Sequence, residues 1–329
     1  MKESNPKEII TPLTKQFGVK YPIICAPMFL VSSVKLVVSV CEAGGIGTFP
    51  ALNFRPVERF REALREIKAK TDKPFGVNII VQKSNKYQHK QIDFVVDERV
   101  PLIITSLGNP QKVIELAHQE GLKVYCDVVG YKHAKKVADL GADGVIAVGC
   151  GAGGHAGTIS HLALIPDLTS RLDIPVVAAG SIVNGSGMAA AFSLGAAAVY
   201  MGTRFIASEE AEVDAEYKQA IIDAGYDDIV NTDRVDGFPG NFIHTAALDR
   251  LGLQNSLLEE IVSRSQKIKR WISLSRAARS LLANPNGKAS YKTIYSAGQG
   301  SGLIDAVLPV HKIIENTVRE YLEIKHRLP

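Results

Sequence analysis

Four cysteines, Cys25, Cys41, Cys126 and Cys150, are all that 329 residues contain, and no two form a CxxC pair or stand at metal-ligand spacing. Spacing therefore gives no sign of a disulfide framework or a zinc site, and no metal is expected. Reduced thiols in a cytoplasmic protein are the expectation. No uninterrupted apolar run approaches the ~20 residues of a membrane helix, and the opening MKESNPKEIITPLTKQFG is charged rather than apolar. The formal net charge is only +4. Nothing global therefore points to nucleic acid or a membrane, whereas an acidic metabolite would be welcome. A Pro-, Gly- or Ser-rich linker is also lacking, which argues against an independent second body.

What the chain does have is 46% hydrophobic residues, enough for a large core. Short apolar runs alternate with stretches of helical periodicity, the pattern of βα units. The runs are YPIICAPM (21–28), GGIGTF (44–49), FGVNIIV (75–81), PLIITS (101–106), KVYCDV (123–128), GVIAVG (144–149), PVVAAG (175–180) and AAVYMG (197–202). Helical segments lie between them, for instance 55–70, 109–121 and 131–141, with apolar residues three to four apart. Eight such strands predict an α/β fold, a closed (β/α)₈ TIM barrel, with an open doubly wound sheet as the alternative. Beyond residue 205 the pattern turns mostly helical, over 207–225, 256–283 and 308–326. The expected organisation is a barrel over 1–225, a helical cap over 226–300 and a C-terminal helix over 301–329 that packs back on the barrel.

Ligands of such barrels bind at the carboxyl ends of the strands, so the residues ending each run carry the information. After the seventh and eighth runs, Gly180 with Ser181 and Gly202 with Thr203 place glycine beside a hydroxyl. Two adjacent backbone nests of that kind suit a phosphate, although tight turns alone would also use glycine. Asn78 interrupts a buried run, so its amide either meets a neighbouring backbone or hydrogen-bonds a ligand ring. Asp127 ends the fifth run, where a carboxylate either caps the next helix or meets a ligand.

The window 149–157 holds Gly149, Gly151, Gly153, Gly154 and Gly157 around His155. So many glycines are entropically unfavourable unless something must approach the main chain. Imidazole changes charge near neutral pH, so His155 at this rim is expected to act as a base or to hold an anion. Cys150, five residues earlier, also admits a Cys/His reading, against a small buried thiol as the default. Arg264 to Lys292 contains eight basic and no acidic residues. That stretch is either a solvated helix face or a docking surface for an acidic partner.

PIICAPM, FGVN, GAGGHAG, IPVVAAGSIVNGSG, GAAAVYMGTRF and AGQGSGLI, in that order, resemble the motifs of the nitronate monooxygenase (2-nitropropane dioxygenase) family. That family includes flavin-dependent enoyl-ACP reductases. The resemblance implies an FMN-containing barrel under a small helical domain. It assigns the phosphate to Gly180, Ser181, Gly202 and Thr203, with Met201 alongside. It lays the isoalloxazine along Ala26, Pro27 and Met28, bonds its polar edge to Asn78, and brings Gly153 and Gly154 close, with Asp127 counted among the cofactor residues. His155 matches the family's active-site histidine. Family members often have an acidic residue where Gly151 stands and a second glycine in place of Ser181. SLGNP at 106–110 is closer to the GAGNP of the reductase branch than to the HFG of many monooxygenases. Oxidation of an alkyl nitronate with O₂ is therefore one implied activity. NAD(P)H-dependent reduction of an enoyl group on acyl carrier protein is the other, and a flavin binder without turnover is the third reading. A homodimer is compatible with each.

Overall fold

A computed structural model describes residues 8–82, 84–235, 237–250 and 294–327. The helix expected over 256–283 and the basic stretch 264–292 lie outside these residues. Each apolar run becomes a strand: β1 (Ile23–Cys25), β2 (Ile46–Pro50), β3 (Gly76–Ile80), β4 (Leu102–Ser106), β5 (Lys123–Val128) and β6 (Gly144–Val148). A two-residue β7 (Gly154–His155) follows, then β8 (Val176–Ala179) and β9 (Ala198–Met201). All except β7 close one parallel barrel in the order β1-β2-β3-β4-β5-β6-β8-β9. The structure is the expected (β/α)₈ barrel and not an open sheet. Closure is direct, since Ile24 pairs with both Ile46 and Tyr200.

Alternation along each strand divides the core. One set of side chains packs outward against the helices. The other, including Ile24, Ile46, Leu102, Ile104, Tyr125, Ile146, Val177 and Ala198, fills the barrel. The floor is plugged by helix α1 (Pro12–Phe17), which starts with a reciprocal Thr11–Thr14 cap and ends at Gly18 in the left-handed conformation, φ 65°. Leu13 from this helix is fully buried inside the barrel, Phe17 packs edge-on to Tyr125, and the Tyr125 hydroxyl donates to Gln16 Oε1 at 2.6 Å.

The C-terminal helix Val310–Arg327 packs on the helix Gly185–Ser193. A Cβ on Gly185 would stand 2.3 Å from the backbone nitrogen of Tyr321. Part of the NGSG sequence therefore serves this helix contact, which Glu320 ties by accepting from Gly185 N and Ser186 Oγ. Among the described residues beyond 205, helix covers less of the chain than the sequence pattern suggests. The helix expected over 207–225 is confined to Ala215–Asp223. Two short strands, β10 (Ile229–Thr232) and β11 (Gly240–Ile243), pair antiparallel. Strand β11 pairs antiparallel with β7, giving a three-stranded sheet at the barrel's C-terminal end. No helix among the described residues is long and apolar enough to cross a membrane.

Candidate active site at the barrel mouth

Inside the barrel the apolar layers give way to polar groups towards the carboxyl ends of the strands. Asn78, Ser106 and Asp127 stand on three neighbouring strands and form one hydrogen-bonded line. Asn78 Nδ2 donates to Ser106 Oγ at 2.6 Å and more weakly to the Ile104 carbonyl at 3.4 Å. Ser106 Oγ donates to Asp127 Oδ2 at 2.5 Å. The other carboxylate oxygen, Asp127 Oδ1, is shut off from solvent and has no hydrogen-bond partner among the described residues, and the same holds for the Tyr200 hydroxyl. Burial pushes the Asp127 carboxyl up to about 6, against the lowering effect of the Ser106 hydrogen bond. The Tyr200 phenol is raised by burial and by the nearby Asp127 and Cys25. Buried polar atoms are ordinarily paired, so two orphans at one barrel mouth mark a place prepared for something polar.

Beside this layer, four glycine-containing segments meet. The loop after β6 folds against the turn after β8: Ser181 Oγ donates to the Gly151 carbonyl at 3.1 Å, and a Cβ on Gly180 (φ 124°) would lie 2.8 Å from Ala152 N. Residues 298–299 close the same region, with Gln299 N bonded to Gly151 O and Gly298 N donating to Thr203 Oγ1 at 3.0 Å. Gly153 must lack a side chain, because a Cβ there would stand 2.8 Å from Gly298 N. Gly202 differs: the nearest atoms to its added Cβ would be those of Ala26 and Met28, at ordinary distances of 3.6 Å and beyond. Backbone segments are thus held close together at this glycine nest, while Gly202, beside the segment Ala26–Met28, has room for one more carbon atom. Backbone N–H groups gathered at glycines suit a phosphate.

His155 owes its position to the small sheet. Strand β11 pairs Gly240 with His155 and Asn241 with Gly154, and the Asn241 amide donates to the carbonyls of Cys150 (2.8 Å) and Ala152 (2.7 Å). The glycine loop is therefore clamped from outside. His155 itself is exposed at the rim, edge-on to Phe238 with ring centroids 5.5 Å apart.

The sequence profile described as nitronate monooxygenase matches residues 10–91 and 82–320. The chain belongs to the nitronate monooxygenase family. Its oxidoreductase character follows from that membership, since the family's members are flavin-dependent oxidoreductases. It is 31% identical to a nitronate monooxygenase of Pseudomonas aeruginosa over 63% of this chain and 72% of that one. It is also similar to a (3aS,4S,5R,7aS)-5-hydroxy-7a-methyl-1-oxo-octahydro-1H-indene-4-carboxyl-CoA dehydrogenase of Rhodococcus jostii, 37% identical over 73% of this chain and 67% of that one. Among solved structures, FabK from Thermotoga maritima superposes with a TM-score of 0.83 at 34% identity, covering 97% of this chain and 98% of that one.

Against this family background, the residues singled out in the sequence fall into three groups. Asn78 and Asp127 share the polar line; Ala26, Pro27 and Met28 run along the half-exposed segment beside Gly202; Gly153, Gly154, Gly180, Ser181 and Thr203 surround the nest. His155 stands at the rim. Met201 does not join them through its side chain, which is fully buried in the layer between barrel and helices, while its carbonyl accepts from Ala26 N. Three contributors carry no clear signal in the sequence. Tyr200 looks like strand filling in AAVYMG, yet alternation with Ala198 places it inside the barrel. Asn241 had no signal, since its strand is four residues long. His161 packs under Gly149 and bonds the Ala179 carbonyl at 2.8 Å, so a second histidine supports the loop.

Proposed function

We propose that the protein binds FMN at the barrel mouth and oxidises alkyl nitronates, with O₂ as the final electron acceptor. The observation that carries this reading is the junction of a close-packed glycine nest with a polar interior layer whose Asp127 Oδ1 and Tyr200 hydroxyl are orphaned. Gly180, Ser181, Gly202 and Thr203 would hold the phosphate through backbone N–H groups and the hydroxyl proton of Thr203. The ring would lie along Ala26, Pro27 and Met28, with Asn78 at its polar edge. When bound, the flavin supplies the two-electron acceptor that no side chain here can provide. The protein's own part is to orient the substrate anion and keep water away from it. His155 would hold the nitronate oxygens, or take the α-proton where a neutral nitroalkane enters.

A second reading is supported by the rim. Leu30, Leu107 and Phe238 are exposed there, and Leu30 and Leu107 both have a left-handed backbone, φ 60° and 58°. Non-glycine residues held in that region cluster at ligand-binding sites. An apolar rim suits a bulky acyl group better than a short nitroalkane, in keeping with the CoA-ester dehydrogenase and FabK similarities. This reading is NAD(P)H-dependent reduction of an enoyl thioester. The docking of acyl carrier protein on the basic stretch falls outside the described residues.

Anaerobic mixing of the flavin-loaded protein with a small alkyl nitronate, and in parallel with NADH or NADPH, separates the two. Bleaching by nitronate alone is the expected result. Bleaching by the nicotinamide, with the nitronate inert, would replace it with the reductase reading. A flavin that no donor reduces would leave a binding protein without turnover.

A further inference from the structure

The line Asn78–Ser106–Asp127 has a direction, and the direction is set at its far end. An ionised carboxylate only accepts hydrogen bonds, so Ser106 must spend its single proton on Asp127 Oδ2. The Ser106 oxygen is then left to accept, and it accepts from the Asn78 amide nitrogen at 2.6 Å. The second proton of that nitrogen points to the Ile104 carbonyl, an obligate acceptor, which independently fixes which end of the amide is which. Asn78 Oδ1 is therefore the free end. Among the described residues nothing donates to it, and it is not cut off from solvent.

We infer that Asp127 and Ser106 are positioning residues that lock the Asn78 amide so that it presents its carbonyl oxygen, and not its NH₂, to the bound ring. This rests on the flavin reading above. It explains why a carboxylate is kept at a barrel mouth where its second oxygen lacks a partner. The pyrimidine edge of a flavin carries one imide N–H between two carbonyls, and an acceptor aimed at that N–H discriminates for it. Protonation of Asp127 would let the carboxyl donate to Ser106, reverse the hydroxyl and release the amide to turn over. The groups facing Asp127 are few: Ser106 from β4, Asn78 through it from β3, and the Tyr200 phenol from β9, with Cys25 beyond it. The neighbouring Cys126 thiol is engaged by Thr105 instead, at 3.2 Å. None of these groups supplies a cation that would keep Asp127 ionised on acidification, so its charge is free to follow pH near 6.

The test is FMN affinity, read by quenching of flavin fluorescence, for the wild type, Asp127→Asn, Ser106→Ala and the double variant between pH 5 and 8. At pH 8 each single variant is expected to bind about five- to tenfold more weakly, the range of one lost oriented hydrogen bond. The double variant is expected to be no weaker than the weaker single, because both cut one line. The ratio of wild-type to Asp127→Asn affinity should fall towards one at pH 5. The flavin phosphate also titrates near 6, but it does so for both proteins and cancels in the ratio. Wild-type affinity in both singles overturns the inference, as do losses that multiply in the double variant with a ratio independent of pH. A wild type that binds no FMN overturns the flavin reading as well, which distinguishes that failure from the failure of the line alone. Thermal melts establish folding. Should Asp127→Asn not fold, Ser106→Ala and the wild-type pH profile of its affinity relative to that of Ser106→Ala decide the matter in the same way.

Discussion

The floor and the mouth of this barrel are built on the same eight strands but treat buried polar groups differently. At the floor, the one phenol among the large fully buried side chains, Tyr125, has its hydroxyl bonded to Gln16, and Leu13 and Phe17 complete an apolar plug. At the mouth, Tyr200 and Asp127 each leave a buried oxygen without a partner among the described residues, and glycines hold backbone segments closer than any side chain would allow. A floor whose buried phenol is satisfied serves stability. A mouth with orphaned groups gives up stability that a polar ligand bound there would restore. The contrast assigns residues on the same strands to different tasks: Tyr125 and Asp127, two positions apart on β5, are the clearest pair.

Substitutions at the two ends should therefore separate stability from function. His155→Asn stands at the rim and is expected to slow reduction of bound flavin by substrate about 10²- to 10⁴-fold, the usual weight of a general base or anion holder, with flavin content unchanged. Stopped-flow absorbance measures the first and the visible spectrum of the purified protein the second. Leu13→Ala at the floor should lower unfolding free energy by about 3 kcal/mol, read from urea midpoints, and leave FMN affinity of the folded protein within about twofold. Gly153→Ala should do the opposite. Its Cβ would press on Gly298 N, so FMN binding measured by equilibrium dialysis is expected to weaken at least about tenfold, while stability changes by about 1 kcal/mol. The smallest effect belongs to Tyr125→Phe, which removes one satisfied hydrogen bond at about 1 kcal/mol and nothing from the mouth.

How far this division can be read from the sequence depends on the length of the signal. All eight barrel strands coincide with apolar runs to within a few residues, because strands buried on both faces are rich in Val, Ile and Ala throughout, and β4, β6, β8 and β9 end at or just before Ser or Gly. The nest was visible for the same reason, as glycine repeated at several strand ends. The sheet of β7, β10 and β11 was not. Its strands are two to four residues long and carry polar residues such as Asn231 and Asn241, too short for a period-two pattern to rise above the helical composition around them. Asn241 and its grip on the glycine loop were lost with it. Asp127 is legible as a carboxylate at a strand end, but its partner on the neighbouring strand and its orphaned oxygen depend on strand register, which no linear pattern contains.

The most direct test of the contrast is the stability of the ligand-free Asp127→Asn protein. Burial raises the Asp127 carboxyl from 3.8 to about 6 in the folded chain. A raised carboxyl binds its proton more tightly when folded than when unfolded, so its effect on stability is absent below the unfolded value and grows unfavourable as pH rises through about 6. With 1.36 kcal/mol per unit and a discount for partial exposure, ionised Asp127 destabilises the empty protein by about 1–3 kcal/mol at pH 8. Urea unfolding at pH 8 should therefore find ligand-free Asp127→Asn more stable than the wild type by that amount, with the difference vanishing towards pH 4. An Asp127→Asn protein less stable than the wild type at pH 8 would show that the carboxylate supports the fold, and the division between floor and mouth would fail.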